Sequence, residues 1–303
     1  MSAKQFVVDD FKNHLAKNNI DLANDTFKAT LCSTFSPSYS AWSSSTSYSE
    51  GDIVIPTTRN GHRYRAINGG ISASSEPTWP TSRGGEVVDN DITWEEYGGE
   101  HSDNESWVDV GANEVPDGDG YSNGGVALSS ITVGKASLDP AATQFDAADT
   151  TWTSLVKVVR TAWLRKISPR KSLNDGSSDY WTQSGSGTAE YYYNVGDVSS
   201  EPLGVFANGR VLTKGTLGSL AQGEWAWGDN DSIGSSTIYV RLTDDSDPDS
   251  KAAGYVECIL ASEPVADPIV SYILLDDTPD DLGLNGVDLT LKWNSNGILE
   301  LTR

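Results

Sequence analysis

The stretch from Trp107 to Ile167 constrains the fold more than any other part of the chain. Its first half, WVDVGANEVPDGDGYSNGGVALSSITV, scatters the β-formers Tyr121, Val126, Leu128, Ile131 and Val133 among polar residues. Two glycine clusters, Gly118/Gly120 and Gly124/Gly125, punctuate them, which predicts hairpins. The second half gathers Leu155, Val156, Val158, Val159, Ala162, Trp163 and Leu164. That run is too apolar for a wet surface and predicts a central strand.

The flanking sequence points the same way. Phe27, Ala29, Leu31, Ser33 and Phe35 alternate with other residues over 26–35, the pattern of a half-buried strand. Val205-Phe206-Ala207, Asn208-Gly209 and Val211-Leu212 spell a tight hairpin, and Asn60-Gly61 predicts another between Ile53-Val54-Ile55 and Tyr64-Arg65-Ala66. Trp225 and Trp227 fall on one face of a strand, and residues 237–242 alternate cleanly. Ile269–Leu274 is an apolar strand. Leu289, Leu291 and Trp293 alternate with polar residues before an Asn294–Gly297 turn into Ile298–Leu301. The clearest helix is expected over residues 4–17, where Val7, Val8, Phe11 and Leu15 share a face and Asp9 and Asp10 precede Lys17 as the helix dipole favours. It serves either to pack on its own domain or to dock on a neighbouring subunit.

The formal net charge of −22 disfavours nucleic-acid backbones and anionic membranes as partners. No apolar run approaches the roughly 18 residues of a membrane span. MSAKQFVVDDF lacks the apolar core of a secretion signal, so synthesis and assembly in a cytoplasm are expected. The 2 cysteines, Cys32 and Cys258, do not make a disulfide framework and read as buried thiols.

Ordered motifs carry a family resemblance. Asp109-Val110, Asn113-Glu114-Val115, Gly120-Tyr121, Gly124-Gly125, Phe145-Asp146-Ala147, Asp149 and Trp152-Thr153 follow one another as in a widespread family of small tailed-bacteriophage virion proteins. Ile20, Asp21, Leu22, Asp25, Thr26 and Lys28 match its opening, and the strand Ile269–Leu274 with the closing hairpin matches its end. The resemblance covers about residues 5–38, 105–168 and 256–303. It implies a mainly β fold: a β-sandwich or barrel-like base domain with a short N-terminal helix and two inserted small β modules. The expected division is base 1–38, module 39–100, base 101–171, module 172–255 and base 256–303. Loops accept such insertions because closure entropy grows slowly with length. Residues 172–255 resemble a β-rich module found in phage tail and other virion proteins.

Within 39–100, Trp42, Tyr48, Gly51, Asp52, Val54, Gly61, Tyr64, Ala66, Pro77 and Trp94 resemble a small chitin-binding-type carbohydrate module. Two readings of its aromatics stand side by side. Trp42, Tyr48, Tyr64 and Trp94 form the mini-core of a unit too small for an aliphatic one. Alternatively Trp79, set between Pro77 and Pro80, joins Tyr48 or Tyr97 in a flat face for stacking on sugar rings. After Ala66 the sequence has Asn68-Gly69-Gly70 where enzyme-linked modules carry an aromatic pair.

No catalytic constellation is legible. His14, His62 and His101 lie in different segments and form no spaced ligand pair. There is no G-x-S-x-G, Walker or dinucleotide motif. Asp245, Asp247 and Asp249 have the first, third and fifth spacing of a calcium loop. Pro248 interrupts it, Ser250 replaces the glycine and no Glu closes it, so a solvated acidic loop is expected. Asp-Gly-Asp-Gly at 117–120 reads as a turn. The expectation is a virion structural protein without catalytic residues, metal or cofactor. It would coat the capsid as a decoration or head-fibre protein, with a tail fibre, baseplate or glycan-binding adhesin as the alternative. Its partners would be the major capsid protein or tail proteins, a glycan, and further copies of itself, a trimer first.

Overall fold

A computed structural model describes residues 4–135, 143–177, 179–275, 281–293 and 299–302. The protein is mainly β, built from several small sheets, with a short helix near the N-terminus. At its centre lies an antiparallel sheet in the order Lys4–Val7, Ile269–Leu274, Thr161–Lys166, Phe27–Cys32 and Val126–Ala127. Lys4 pairs with Leu274 and Thr161 with both Leu274 and Cys32, so chain ends far apart in sequence share one ladder.

One face of this sheet carries Phe27, Ala29, Leu31, Ala162, Leu164 and Ile273 into a core completed by Trp152, Leu155, Leu284, Leu289 and Leu291. The other face, with Cys32, Trp163, Ile269 and Tyr272, packs on Trp107, Val110, Phe206 and Ile259. Two-sided covering explains why Phe27–Cys32 is buried along nearly its whole length, rather than half-buried as its alternation suggests.

The apolar run 155–164 is not one strand. It breaks at Arg160 into Thr150–Val159 and Thr161–Lys166, which join different sheets. The Arg160 N–H donates to the Cys32 carbonyl and its own carbonyl accepts from Leu275, so the break is held from both sides. Val156 and Val158 are 48% and 57% exposed, so of the apolar residues in 155–159 only Leu155 and Val159 enter the core.

The expected helix over 4–17 is also corrected. Lys4–Val7 is a strand, and the helix is confined to Phe11–Ala16. Phe6 packs on the second core and Val8 is buried, whereas Val7 is half exposed. The ladder to Ile269–Leu274 overrides the helical spacing.

Residues 41–99 contain a four-stranded sheet ordered Ile53–Val54, His62–Ala66, Ile92–Gly99, Glu86–Asp89, and the pair Ser47–Tyr48 with Gly70–Ile71. The expected strands do pair, Val54 with Tyr64, but not across a two-residue turn. Residues 55–61 form a longer loop, in which the Asn60 side chain accepts from His62 N–H (3.0 Å) and donates to the Tyr64 hydroxyl (2.9 Å). Farther along, Lys171–Ser172, Val256–Ile259, Gly204–Ala207 and Arg210–Val211 make one sheet. Phe206 pairs with Val211 across Asn208-Gly209, as the sequence predicts. Trp181–Gln183, Tyr191–Tyr193, Thr237–Arg241, Glu224–Gly228 and Thr213–Lys214 make another.

Among the described residues no sheet closes into a barrel or sandwich, contrary to the sandwich or barrel-like base expected. Most strands are two to six residues long, and the outer strands of each sheet pair on one side only. Leu282–Trp293 pairs with Thr150–Val159 and Leu299–Thr302. The expected Asn294–Gly297 turn lies outside the described residues, as does Ile298.

Candidate functional site

Glu114, Tyr121 and Gly124, from the motifs of residues 109–125, meet in a buried polar network beside the central sheet. Ser106 caps the short helix Trp107–Val110 in a capping box with Asp109, which drops Trp107 and Val110 into the second core. Glu114 follows, 2% exposed and bridged to Cys32. Its Oε1 accepts from the Tyr121 hydroxyl (2.6 Å) and from Gly124 N–H (2.6 Å), while the Tyr121 oxygen accepts from Leu31 N–H (3.3 Å). Burial, only partly offset by these donors and by Arg165, raises the Glu114 pKa above its usual range. Burial also drives the Tyr121 pKa upward.

A second buried set adjoins it. The Arg165 guanidinium lies over the Trp107 ring (4.4 Å), donates to the Gly124 carbonyl (3.2 Å) and pairs with Asp267. Asp267 also receives Arg170 and Ser168 N–H (2.8 Å). The two sets are buried side by side, with Glu114 Oε2, Trp107 Nε1 and Arg170 Nη1 left without a hydrogen bond. Chemically the arrangement fixes the 107–125 loop against the sheet; Gly125 fits there because a Cβ would collide with the Ala29 carbonyl. Asp117–Gly120 is a turn closed by paired Gly118 and Tyr121 hydrogen bonds.

The aromatics proposed for sugar stacking are distributed differently from one another. Asp89, buried and missed from the sequence, gathers the indole N–H groups of Trp42 (2.8 Å) and Trp94 (2.9 Å) on one oxygen. Its place beside the Asn90-Asp91 turn, one strand from Trp94, is a signal that could have found it. Trp79 is half-buried, 4.3 Å from the Tyr64 ring and 6.0 Å from Trp94, and its N–H binds Glu76. Tyr48 is half-buried and meets Trp94 edge-on at 5.0 Å. Both pack on the same small cluster, which does not include Tyr97. Tyr97 is 42% exposed and lies under the guanidinium groups of Arg65 (4.3 Å) and Arg63 (5.1 Å).

Between this unit and the first strand runs a cleft of about 420 Å³ lined by Phe6, Asp9, His62, Arg83, Glu96, Tyr97 and Ser102, among others. His62 Nδ1 lies 2.8 Å from Glu96 Oε1. Burial opposes ionisation of Glu96, yet His62 and the N–H groups of Gly98 and Gly84 together lower its pKa. These contacts tie loop 84–85 to the strand Ile92–Gly99. Arg63 joins the same junction through Asp9 (2.6 Å) and the Tyr39 hydroxyl (2.6 Å). His101, stacked on Phe35 at 4.2 Å, is held neutral: burial first, then Arg59 and Arg160, lower its pKa to about 3.

The acidic loop spreads its carboxylates rather than converging them. Asp244 binds Lys251 and Asp245 binds Arg241, Asp247 caps the turn Pro248–Ser250, and Asp249 accepts from Trp181 N–H. Among the described residues no group of three or more His, Cys, Asp or Glu side chains is arranged to hold a metal ion. No described helix is long and apolar enough to cross a membrane. Compared with family models, with curated proteins and with solved structures, the chain matches none.

Proposed function

We propose that this chain is a non-enzymatic structural protein on the surface of a tailed-phage particle, a capsid decoration or head-fibre protein. In this reading a β-sheet base drawn from residues 1–38, 101–171 and 256–303 docks on the particle. The segments 39–100 and 172–255 project outward as two small β modules. The single observation that carries it is the Glu114–Tyr121–Gly124 network. The residues that resemble the virion family are spent on holding a loop against a sheet, which is what a scaffold protein asks of its most distinctive residues. The charge of −22 supports a coat displayed at high copy number, since it keeps crowded copies soluble.

The partners would be the major capsid protein, or tail proteins if the base sits there, and further copies of the chain in a trimer. Such contacts work by burying apolar and backbone groups, on the order of a thousand Å² or more for a stable interface. A map of the intact particle tests the reading. Density for this chain in regular copies on the capsid exterior, with the Lys4–Val7 edge of the central sheet towards the shell, is the expected result. Its absence from purified particles, or turnover of host surface polysaccharide by the purified protein, would overturn it; density on the tail would overturn the capsid assignment.

A further inference from the structure

We infer that the five-stranded sheet of residues 181–241 carries a binding groove for a neutral oligosaccharide, with Trp227 as its stacking platform. This inference stands on the groove alone, whatever particle bears the chain.

A groove of about 710 Å³ opens at one end of that sheet. It is within the few-hundred to thousand Å³ range of small-molecule sites. Trp225 and Trp227 share the face of Glu224–Gly228 that packs on the local core. Trp225 is covered, 4% exposed, whereas Trp227 is only half-buried and lines the groove. The sheet's inner face is therefore left open at Trp227, next to exposed Ile233. An indole fixed by a ladder, pairing with Ile238 on the adjacent strand, is a rigid apolar plane that needs little ordering on binding.

The chemistry of the walls selects the ligand. The groove is lined by Asn194, Ser199, Ser235 and Ser236 among others, and none of its described lining residues carries a charge. The walls are uncharged although the chain has 43 acidic residues. The nearby carboxylates are turned elsewhere. Asp197 binds Lys171 (2.7 Å) and the Tyr193 hydroxyl (2.9 Å). Asp229 accepts from the N–H groups of Ile233 and Gly234 (2.9 Å each), which fixes the rim that presents Ile233. A hydroxyl and amide wall around an aromatic floor matches an uncharged molecule with an apolar face and many hydroxyls. A pyranose ring has both: its axial C–H groups lie on an indole and its equatorial hydroxyls exchange hydrogen bonds with Asn and Ser. A charged ligand would find no counter-ion on these walls, and a wholly apolar one would strand the hydroxyls. The groove is remote in sequence from Trp79, Tyr48 and Tyr97, and no ring of that set lines it.

The full-length protein would be screened on an array of neutral and acidic oligosaccharides, and the strongest neutral binder measured by titration calorimetry. Retention of at least one neutral oligosaccharide is expected, with affinity falling by about tenfold or more in Trp227→Ala. Ser236→Trp, which fills the groove from an exposed position and leaves the core untouched, should abolish binding. Tyr97→Ala and Trp79→Phe should leave it unchanged. Circular dichroism of each variant confirms that the sheet is intact. An array without a neutral hit at about 10 mM sugar would overturn the assignment. So would binding that survives Ser236→Trp, or binding lost in Tyr97→Ala or Trp79→Phe instead.

Discussion

Gly125 offers a test in which the cost of one methyl group can be worked from the structure. It has φ +73° and lies beside the Ala29 carbonyl and the Thr30 hydroxyl, both closer to an added Cβ than any real side chain tolerates. Gly118 has φ +88° but open space where its Cβ would be. Alanine at Gly118 carries only the left-handed penalty, about 1–2 kcal/mol. Alanine at Gly125 carries that penalty plus an overpacking cost of about 1–3 kcal/mol, because the obstructing atom is backbone of the central sheet. The difference, about 1–3 kcal/mol, corresponds to a roughly 5- to 150-fold change in an equilibrium constant. Hydrogen exchange of the Phe27–Cys32 amides measures it locally, without assuming that a chain of several sheets unfolds in one step. Gly125→Ala should accelerate their exchange by that factor relative to Gly118→Ala. Equal rates in the two variants would refute the claim that the 107–125 loop is clamped to the sheet.

Two further outcomes follow from the buried charges. His101 takes up a proton near its ordinary pKa when unfolded but only near about 3 when folded. The stability of its neutral form is therefore complete above about pH 6.5 and declines as the pH falls toward 3. Between about pH 6.5 and 5, above most carboxylate titrations, His101→Gln should lose less thermal midpoint than the parent; identical slopes would show that His101 is protonated in the fold. Asp267→Asn leaves Arg165, 1% exposed, without its buried counter-charge and should cost about 3–5 kcal/mol in chemical denaturation. The double variant Arg165→Met/Asp267→Asn should recover part of this, and a double variant as unstable as Asp267→Asn alone would contradict the pairing.

What the sequence made legible was what local chemistry decides. Asn208-Gly209 between two short apolar runs forms its hairpin, and Leu289 and Leu291 alternate into the core. Asn60-Gly61 has the same dipeptide but sits in a longer loop, because Asn60 is recruited by His62 and Tyr64. Lys4–Val7 was hidden since its partner lies some 265 positions away and its valines fit a helix equally well. The break at Arg160 depends on Cys32 and Leu275, which no window around it contains. The sugar-stacking set suffered likewise: Tyr97 is exposed as an isolated ring would be, but two arginines cover it. The groove at Trp227 is assembled from three separate loops and strands, so only the shared face of Trp225 and Trp227 foreshadowed it.

The pairing of Lys4–Val7 with Ile269–Leu274 has a temporal consequence. A ribosome delivers the first of these strands long before the second, and at roughly 5–20 residues per second the wait is on the order of ten seconds to a minute. The segments in between can complete their own local ladders during that interval, while the edge of Ile269–Leu274 does not yet exist. The central sheet thus closes after the ladders of the intervening segments, and among the described sheets only that of Thr150–Val159, Leu282–Trp293 and Leu299–Thr302 waits longer for its strands.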